Sequence, residues 1–121
     1  MDTEQKLSQF ADRVRQAAFL AFPEASFAVV EKRKYLLKIR VGFSEKTFID
    51  IFYNPKNDRT DFALMRNEQR IFGYDTLGGW HRHPAEDPQS HIPCDEPLID
   101  QVLQEMKSLV LPPTENRNDQ S

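Results

Sequence analysis

The side chains best suited to chemistry are concentrated in one stretch between Gly73 and Cys94. This stretch contains all three histidines, the only tryptophan, the only cysteine and three of the four glycines of the 121-residue chain. Imidazole and thiol groups bind metals, move protons or attack electrophilic centres, and such groups are often carried by loops on a rigid scaffold. The sequence therefore predicts that the functional site lies in this stretch.

One interpretation of this stretch is a metal site. His81 and His83 are two residues apart, and in an extended segment this spacing places both imidazoles on one side. With His91 and Cys94 they form the pattern H-x-H-x7-H-x2-C, whose ligand types suit tetrahedral zinc. The spacing differs from that of the common structural zinc fingers. We therefore expect no cofactor, and zinc is kept as the alternative.

A second interpretation is acid–base chemistry on RNA. Cleavage without a metal needs a base for the 2′-hydroxyl, an acid for the leaving oxygen and cations for the phosphorane, and imidazole titrates in the useful pH range. The candidate catalytic residues are His81, His83 and His91, with Asp75 as a carboxylate that orients an imidazole. The alternative for Asp75 is an Asx turn that precedes the two adjacent glycines.

Substrate contacts are predicted on both sides of the glycine pair. Arg70 and Arg82 are candidate phosphate contacts, and Tyr74 and Trp80 are candidates for stacking on the bases of single-stranded RNA. The alternative for the two aromatic residues is packing at the edge of the sheet.

Cys94 has a further interpretation as a nucleophile with His91 as its base, three residues away. The alternative is structural. In that case Asp95 or Glu96 caps the last helix, and Cys94 packs beneath it.

The bulk composition narrows the class of protein. Apolar residues make up 39% of the chain and charged residues 29%, as in globular domains, and no apolar run approaches the ~18 residues of a membrane span. The polar N-terminus does not resemble a signal peptide, so we expect a cytoplasmic protein with no membrane partner. A net charge of −3 argues against a broad basic surface for nucleic acid, but it leaves room for a local basic face.

The periodicity of the apolar residues predicts a single α+β domain over residues 1–111. In this domain an antiparallel meander of about five strands packs against N- and C-terminal helices. The first helix is predicted from Thr3 to about Phe22, with a capping box of Asp2 and Gln5, and the second opens near Glu96. Residues 112–121 lack apolar side chains and are predicted to form a disordered tail.

The strands are predicted at about 26–31, 35–41, 47–53, 61–66 and 70–74. The apolar run at 47–53 has no clean polar face, which predicts a central strand covered on both sides. We expect both helices to pack on one face of the sheet, which leaves the other face, with Lys38 and Arg40, available for a partner.

The order of these residues and elements forms a pattern from about Tyr35 to Val110, outside the first helix. A strand hairpin runs into an arginine, tyrosine and aspartate element, and a loop rich in histidine and proline and a closing helix follow. The residues of the pattern are the following: Arg70, Tyr74, Asp75, His81, His83, Pro84, Pro88 and His91. In this order and spacing the chain resembles the TumE-type toxins of prokaryotic toxin–antitoxin modules, although Thr76 stands where asparagine is usual.

The resemblance implies a growth-inhibiting toxin that is paired with a cognate antitoxin and, by analogy, a ribonuclease. The alternative is a non-catalytic binding module, in which the loop is a structural His/Cys metal site or a partner-docking edge. A third interpretation is a diverged relative that kept the fold and lost the activity. The sequence leaves the oligomeric state open.

Overall fold

Two helices and a seven-stranded antiparallel sheet make up residues 1–110, which are the residues that the computed structural model describes. The elements in chain order are α1 (Thr3–Ala21), β1 (Ser26–Lys32), β2 (Leu37–Gly42), β3 (Thr47–Asn54), β4 (Arg59–Arg66), β5 (Gln69–Asp75), β6 (His81–His83), β7 (Ile92–Pro93) and α2 (Ile99–Val110). Each strand pairs with its neighbours in sequence, so the sheet is a meander. The predicted tail at 112–121 lies outside the described residues.

The predicted α+β class is confirmed, but the prediction of about five strands is too low. The two further strands, β6 and β7, span only three and two residues. They lie in the loop with the histidines and prolines, and segments this short carry no measurable alternation of apolar and polar residues.

The sheet has two different faces. On one face, which we call the helix side, buried apolar side chains of four strands pack with both helices in one core. They are the following: Leu37, Ile39, Val41, Ile49, Ile51, Phe62, Leu64 and Phe72. The opposite face, which we call the open side, carries no helix among residues 1–110. Lys38 and Arg40 lie on this open side, as the alternation along their strand predicts.

The helices follow their sequence signals with one exception. The capping box of α1 is confirmed, since the Asp2 carboxylate accepts from the Gln5 N–H and the Gln5 side chain accepts from the Asp2 N–H. The predicted start of α2 near Glu96 is wrong, since the helix begins at Ile99. Leu98 precedes α2 and its carbonyl accepts the Val102 N–H, while its side chain is 67% exposed. Neither helix has the length and apolar character to cross a lipid bilayer.

The expectation that the central strand at 47–53 is covered on both sides is wrong. Two isoleucines of β3 are buried on the helix side, whereas Phe48 and Phe52 lie half-buried on the open side. The guanidinium of Arg40 lies 3.8 Å from the centre of the Phe48 ring, and that of Arg59 lies 4.7 Å from the centre of the Phe52 ring. The apolar run thus reflects cation–π cover by arginine rather than a second layer of structure.

The turn between β4 and β5 yields a stability prediction. Asn67 and Glu68 have φ values of 52° and 68°, which a two-residue type I′ turn requires and which glycine adopts at lower cost than glutamate. We expect Glu68→Gly to raise the free energy of unfolding by about 0.5–1 kcal/mol in chemical denaturation. Asn67→Gly is the control with a smaller effect, because asparagine tolerates this conformation. An unchanged or lower stability of Glu68→Gly would contradict the prediction.

Candidate functional site

The site is built on the open side of β5 and β6. In their antiparallel pairing, Asp75 lies opposite His81 and Gly73 lies opposite His83. Because successive residues of a strand point to opposite faces, both histidines and the carboxylate share the open side. The pairing of β5 and β6 thus brings together three of the four residues predicted to be catalytic, and the fourth, His91, lies next to them.

His83 is at the centre of this arrangement and is fully buried. Its Nε2 lies 2.7 Å from Oδ2 of Asp75, and its Nδ1 lies 3.1 Å from the Pro88 carbonyl oxygen and 3.2 Å from Nη2 of Arg70. Nε2–H donates to the carboxylate. In the neutral ring Nδ1 then accepts from Arg70, and in the imidazolium it donates to Pro88. Both protonation states of His83 therefore find hydrogen-bond partners in the site.

Asp75 is held as a carboxylate. Its Oδ1 accepts from the Leu77 N–H at 3.3 Å, and its Oδ2 lies 3.7 Å from Nη1 of Arg70. Burial raises the pKa of Asp75. The hydrogen bonds from His83 and from the Leu77 N–H, together with the nearby charges of His83 and Arg70, outweigh this effect and leave the pKa below its usual value.

Arg70 reaches the site because of a β-bulge. The register between β4 and β5 shifts after the pair of Leu64 and Phe72, so that Arg70 lies opposite Met65. If the residues of β5 alternated regularly from Phe72, Arg70 would point to the helix side. Its side chain instead passes over Gly73, where an added Cβ would lie 3.3 Å from Cδ of Arg70, and 36% of it remains exposed.

The other two histidines border this buried centre and are more accessible. The ring centre of His91 lies 4.5 Å from that of His83 and 5.8 Å from that of His81. Nδ1 of His81 donates to the Gly79 carbonyl at 2.9 Å, since a carbonyl only accepts, so in the neutral ring Nε2 carries the lone pair. His91 is exposed and His81 is half-buried. Three imidazoles, one carboxylate and one guanidinium thus form a contiguous polar cluster.

Tyr74 and Arg82 lie on the helix side, away from this cluster. The Tyr74 hydroxyl donates to Oε1 of Glu105 in α2, and Nη2 of Arg82 donates to Oε2 of the same carboxylate at 3.2 Å. Tyr74 is only 4% exposed. These contacts tie β5 and β6 to α2 behind the site. Sequence reasoning missed Glu105, because a single polar residue on a helix carries no signal for a distant tyrosine.

The surroundings of Tyr74 predict a pH effect. Burial, the hydrogen bond to Glu105 and the charge of Glu105 raise the pKa of Tyr74 to about 12, although Arg82 opposes the shift. The folded state therefore keeps the phenol proton more tightly than the unfolded state. This stabilisation is complete below pH ~10, the ordinary value for tyrosine, and is lost as the pH rises through the folded value.

We expect the phenolate absorbance to report one of the three tyrosines with a pKa of about 12. Stability should fall over the same range. Tyr74→Phe should remove this late titration, and Tyr53→Phe is the control that leaves it in place. A Tyr74→Phe protein that still shows the late phenol would refute the assignment.

Trp80 and Cys94 also lie on the helix side. The Cys94 N–H donates to the Trp80 carbonyl at 3.0 Å, and both side chains pack against the core. Burial and the neighbouring Asp95 raise the pKa of the Cys94 thiol, while Arg82 opposes the shift. The alternation along β7 places Cys94 opposite to the face that carries the imidazole cluster. The structure therefore does not bring Cys94 together with the three histidines.

Three of the four predicted metal ligands, the histidines, lie close together, while Cys94 lies on the other face. Within the part of the chain that the structure describes, no group of three or more His, Cys, Asp or Glu side chains is arranged to hold a metal ion. Zinc binding stays a prediction for metal analysis. The cluster can support proton transfer beside a positive charge, because the accessible imidazoles of His81 and His91 lie near the partly exposed guanidinium of Arg70.

Comparison with known proteins gives one finding. The sequence model of the family described as Toxin TumE matches residues 10–110. The match includes most of α1, so it extends further toward the N-terminus than the resemblance that begins at about Tyr35. Neither the comparison with curated proteins nor that with solved structures found a match. Because the family model covers most of the chain, including the entire imidazole cluster, the protein belongs to the TumE toxin family.

Proposed function

We propose that this protein is the toxin of a prokaryotic toxin–antitoxin module and that it inhibits growth in the cytoplasm by cleaving RNA. Membership of the TumE toxin family supports the first part. The observation that carries the second part is the cluster of three imidazoles beside Arg70 on the open side of the sheet. The expected partners are RNA and a cognate antitoxin protein.

In the proposed reaction, His81 and His91 are the acid–base pair because they are the accessible imidazoles. One takes the proton of a ribose 2′-hydroxyl, and the 2′-oxygen forms a bond to the adjacent phosphorus. The bond from phosphorus to the 5′-oxygen breaks, and the other imidazole donates a proton to that oxygen. The products are a 2′,3′-cyclic phosphate and a 5′-hydroxyl. Each step conserves atoms and charge without a metal ion.

The remaining members of the cluster have supporting roles in this proposal. Arg70 stabilises the negative charge that develops on the phosphorane oxygens, since its guanidinium is partly exposed beside the histidines. His83 is buried, so it is a positioning residue that packs on His91 and is itself held by Asp75. Arg82, Tyr74 and Trp80 face the helices, and they support the two strands from behind.

The test combines growth with RNA chemistry. We expect expression of the chain alone to stop growth and co-expression of the antitoxin to restore it. His81→Ala and His91→Ala should each lower the rate of RNA cleavage by at least about 100-fold. Glu86→Ala, an exposed position of the same loop, is the matched control that should leave the rate unchanged. The RNA fragments should carry 2′,3′-cyclic phosphates.

Two outcomes would contradict the proposed reaction. One is growth inhibition that persists in a folded His81→Ala/His91→Ala protein. The other is cleavage of an RNA whose 2′-hydroxyl at the cut site has been replaced by hydrogen. Cleavage that a chelator abolishes, with stoichiometric zinc in the purified protein, would instead indicate a metal centre that includes His81, His83 and His91.

A further inference from the structure

The open side of the sheet carries two continuous rows of side chains that cross the strands and end at the histidines. The first row, in the order of its cross-strand pairs, is Lys38, Phe52, Asp61, Asp75 and His81. The second row is Arg40, Asp50, Ala63, Gly73 and His83. Each row crosses four inter-strand spacings, or about 19 Å. Both rows therefore lead from β2 across the face to the candidate active site.

The two rows form a concave track rather than a flat face. Ala63 and Gly73 are the smallest residues of the second row and lie in its middle, so the floor is low at Ala63, and the Arg70 side chain crosses it at Gly73. A groove of about 460 Å³ lies over the β2 to β4 end, and its lining includes Arg40, Phe52, Asp61 and Ala63. A groove of about 540 Å³ continues from it, lined by residues that include Arg59, Asp61, Arg70 and Asp75. The two grooves adjoin at Asp61, and the second reaches Asp75, which pairs with His81 across the strands.

Two arginines of this track are each held by a phenylalanine ring and an aspartate. Arg40 lies over the Phe48 ring, and its Nε and Nη2 donate to the two oxygens of Asp50 at 2.8 and 3.1 Å. Arg59 lies over the Phe52 ring, and its Nε and Nη2 donate to Oδ2 of Asp61 at 3.3 and 2.9 Å. One face of each guanidinium is covered by phenylalanine, and both side chains remain about half exposed. Each guanidinium is thus open to the solvent while the ring and the aspartate hold its position.

A held guanidinium plane is a surface on which a nucleobase stacks. Because each arginine is paired with an aspartate, the track gains little from bulk attraction to phosphate. This balance favours recognition through exposed base faces over recognition through backbone charge. Bases are exposed in single-stranded RNA and hidden in a duplex.

We propose that the open side of the sheet binds single-stranded RNA, that the guanidinium planes of Arg40 and Arg59 stack on its bases, and that the track delivers the strand to His81 and His91. This inference rests on the proposed ribonuclease function and names the form of its substrate. It also assigns base stacking to Arg40 and Arg59 instead of Tyr74 and Trp80, which face the helices.

The test is a binding measurement in the non-cleaving His81→Ala/His91→Ala protein. The probe is a fluorescein-labelled RNA of about 12 nucleotides without self-complementarity, a length within the site sizes known for single-strand-binding folds. In this background we expect Arg40→Lys and Arg59→Lys each to weaken binding by about five- to tenfold. Lysine keeps the charge but loses the plane, so the dependence of affinity on salt should stay the same. The same RNA annealed to its complement should bind at least about tenfold more weakly.

Arg15 provides the matched control. It also lies over a phenylalanine, 4.9 Å from the centre of the Phe27 ring, and pairs with Asp12 at 2.9 Å, but it is carried by α1 rather than by the open side. Arg15→Lys should bind the RNA like the background protein. The thermal unfolding of each variant shows that the fold is kept.

The outcomes separate the inference from the function on which it rests. If the RNA binds with the expected dependence on Arg40 and Arg59 but the parent protein does not cut it, the inference holds and the proposed cleavage is wrong. If the parent cuts RNA and both Arg→Lys variants bind and cut equally well, the inference is wrong and the cleavage stands. Equal binding of the duplex also overturns it. Variants that bind RNA normally but escape neutralisation by the antitoxin would show that the open side docks a protein instead.

Discussion

Asp75→Ala is expected to lower the free energy of unfolding at neutral pH by about 3 kcal/mol, measured by chemical denaturation. The substitution leaves the Nε2–H of the fully buried His83 without its acceptor and removes the carboxylate that faces Arg70. The Asp75 side chain is only 14% exposed, so water replaces the lost carboxylate poorly. Asp75→Asn should cost less, because the amide oxygen still accepts from His83.

The contribution of Asp75 to stability is expected to depend on pH. The pKa of Asp75 is lowered in the folded state, so the carboxylate stabilises the fold at every pH above the unfolded value of ~3.9. This contribution is lost as the pH falls through the lower, folded value. The difference in stability between the parent and Asp75→Asn should therefore shrink below about pH 4.

Asp12→Ala is the matched control for Asp75→Ala. Asp12 forms an ion pair with Arg15 at 2.9 Å, but both side chains are more than half exposed, and such pairs contribute about 0–1 kcal/mol. Equal losses of unfolding free energy in the two alanine variants would show that the contact between Asp75 and His83 stabilises the fold no more than an exposed ion pair does.

Gly73→Ala is expected to destabilise the protein by about 2–3 kcal/mol. A Cβ at this position would lie 2.3 Å from the backbone carbonyl oxygen of Phe62, and the strand pairing leaves that oxygen little room to move. The methyl group would also lie 3.3 Å from Cδ of Arg70, whose side chain crosses Gly73 on its way to His83. Loss of growth inhibition should therefore accompany the loss of stability.

Gly42→Ala is the comparison that isolates this effect. Its Cβ would lie 2.6 Å from Oγ of Ser26, which is the end of an exposed side chain that rotates away at low cost. Both glycines belong to strands, so the two variants have similar effects on the unfolded chain. A Gly73→Ala protein that is as stable as Gly42→Ala would show that the close approach of Phe62 is relieved by a small backbone shift.

Long periodic segments of this protein could be predicted from its sequence, whereas the short strands could not. The alternation of Leu37, Ile39 and Val41 predicted the helix side of β2 correctly, and Asp2 with Gln5 predicted the start of α1. The apolar run in β3 was misleading because arginine side chains from β2 and β4, rather than a second layer, cover its phenylalanines. Stacking of this kind depends on the register between strands, which a single segment does not encode.

The candidate site, too, could be predicted only where it does not depend on the pairing between strands. The spacing of His81 and His83 predicted that both imidazoles share one side, and the structure places them so. The separation of Tyr74 and Arg82 from the histidines also follows from alternation, but only once 81–83 is known to be a strand. The position of Arg70 depends on an extra residue in β5, and no local sequence pattern marks that bulge.

The regular pairing of residues 73–75 with residues 81–83 makes this part of the sheet sensitive to changes in length. Deleting one residue from β6 would exchange its two faces, so that a histidine met Glu105 and an arginine met Asp75. Adding two residues between β5 and β6, in the turn at Gly78 and Gly79, would preserve the parity of both strands. Insertions and deletions within the paired segments 73–75 and 81–83 therefore keep the two faces only when they come in pairs, whereas the turn between them is free of that constraint.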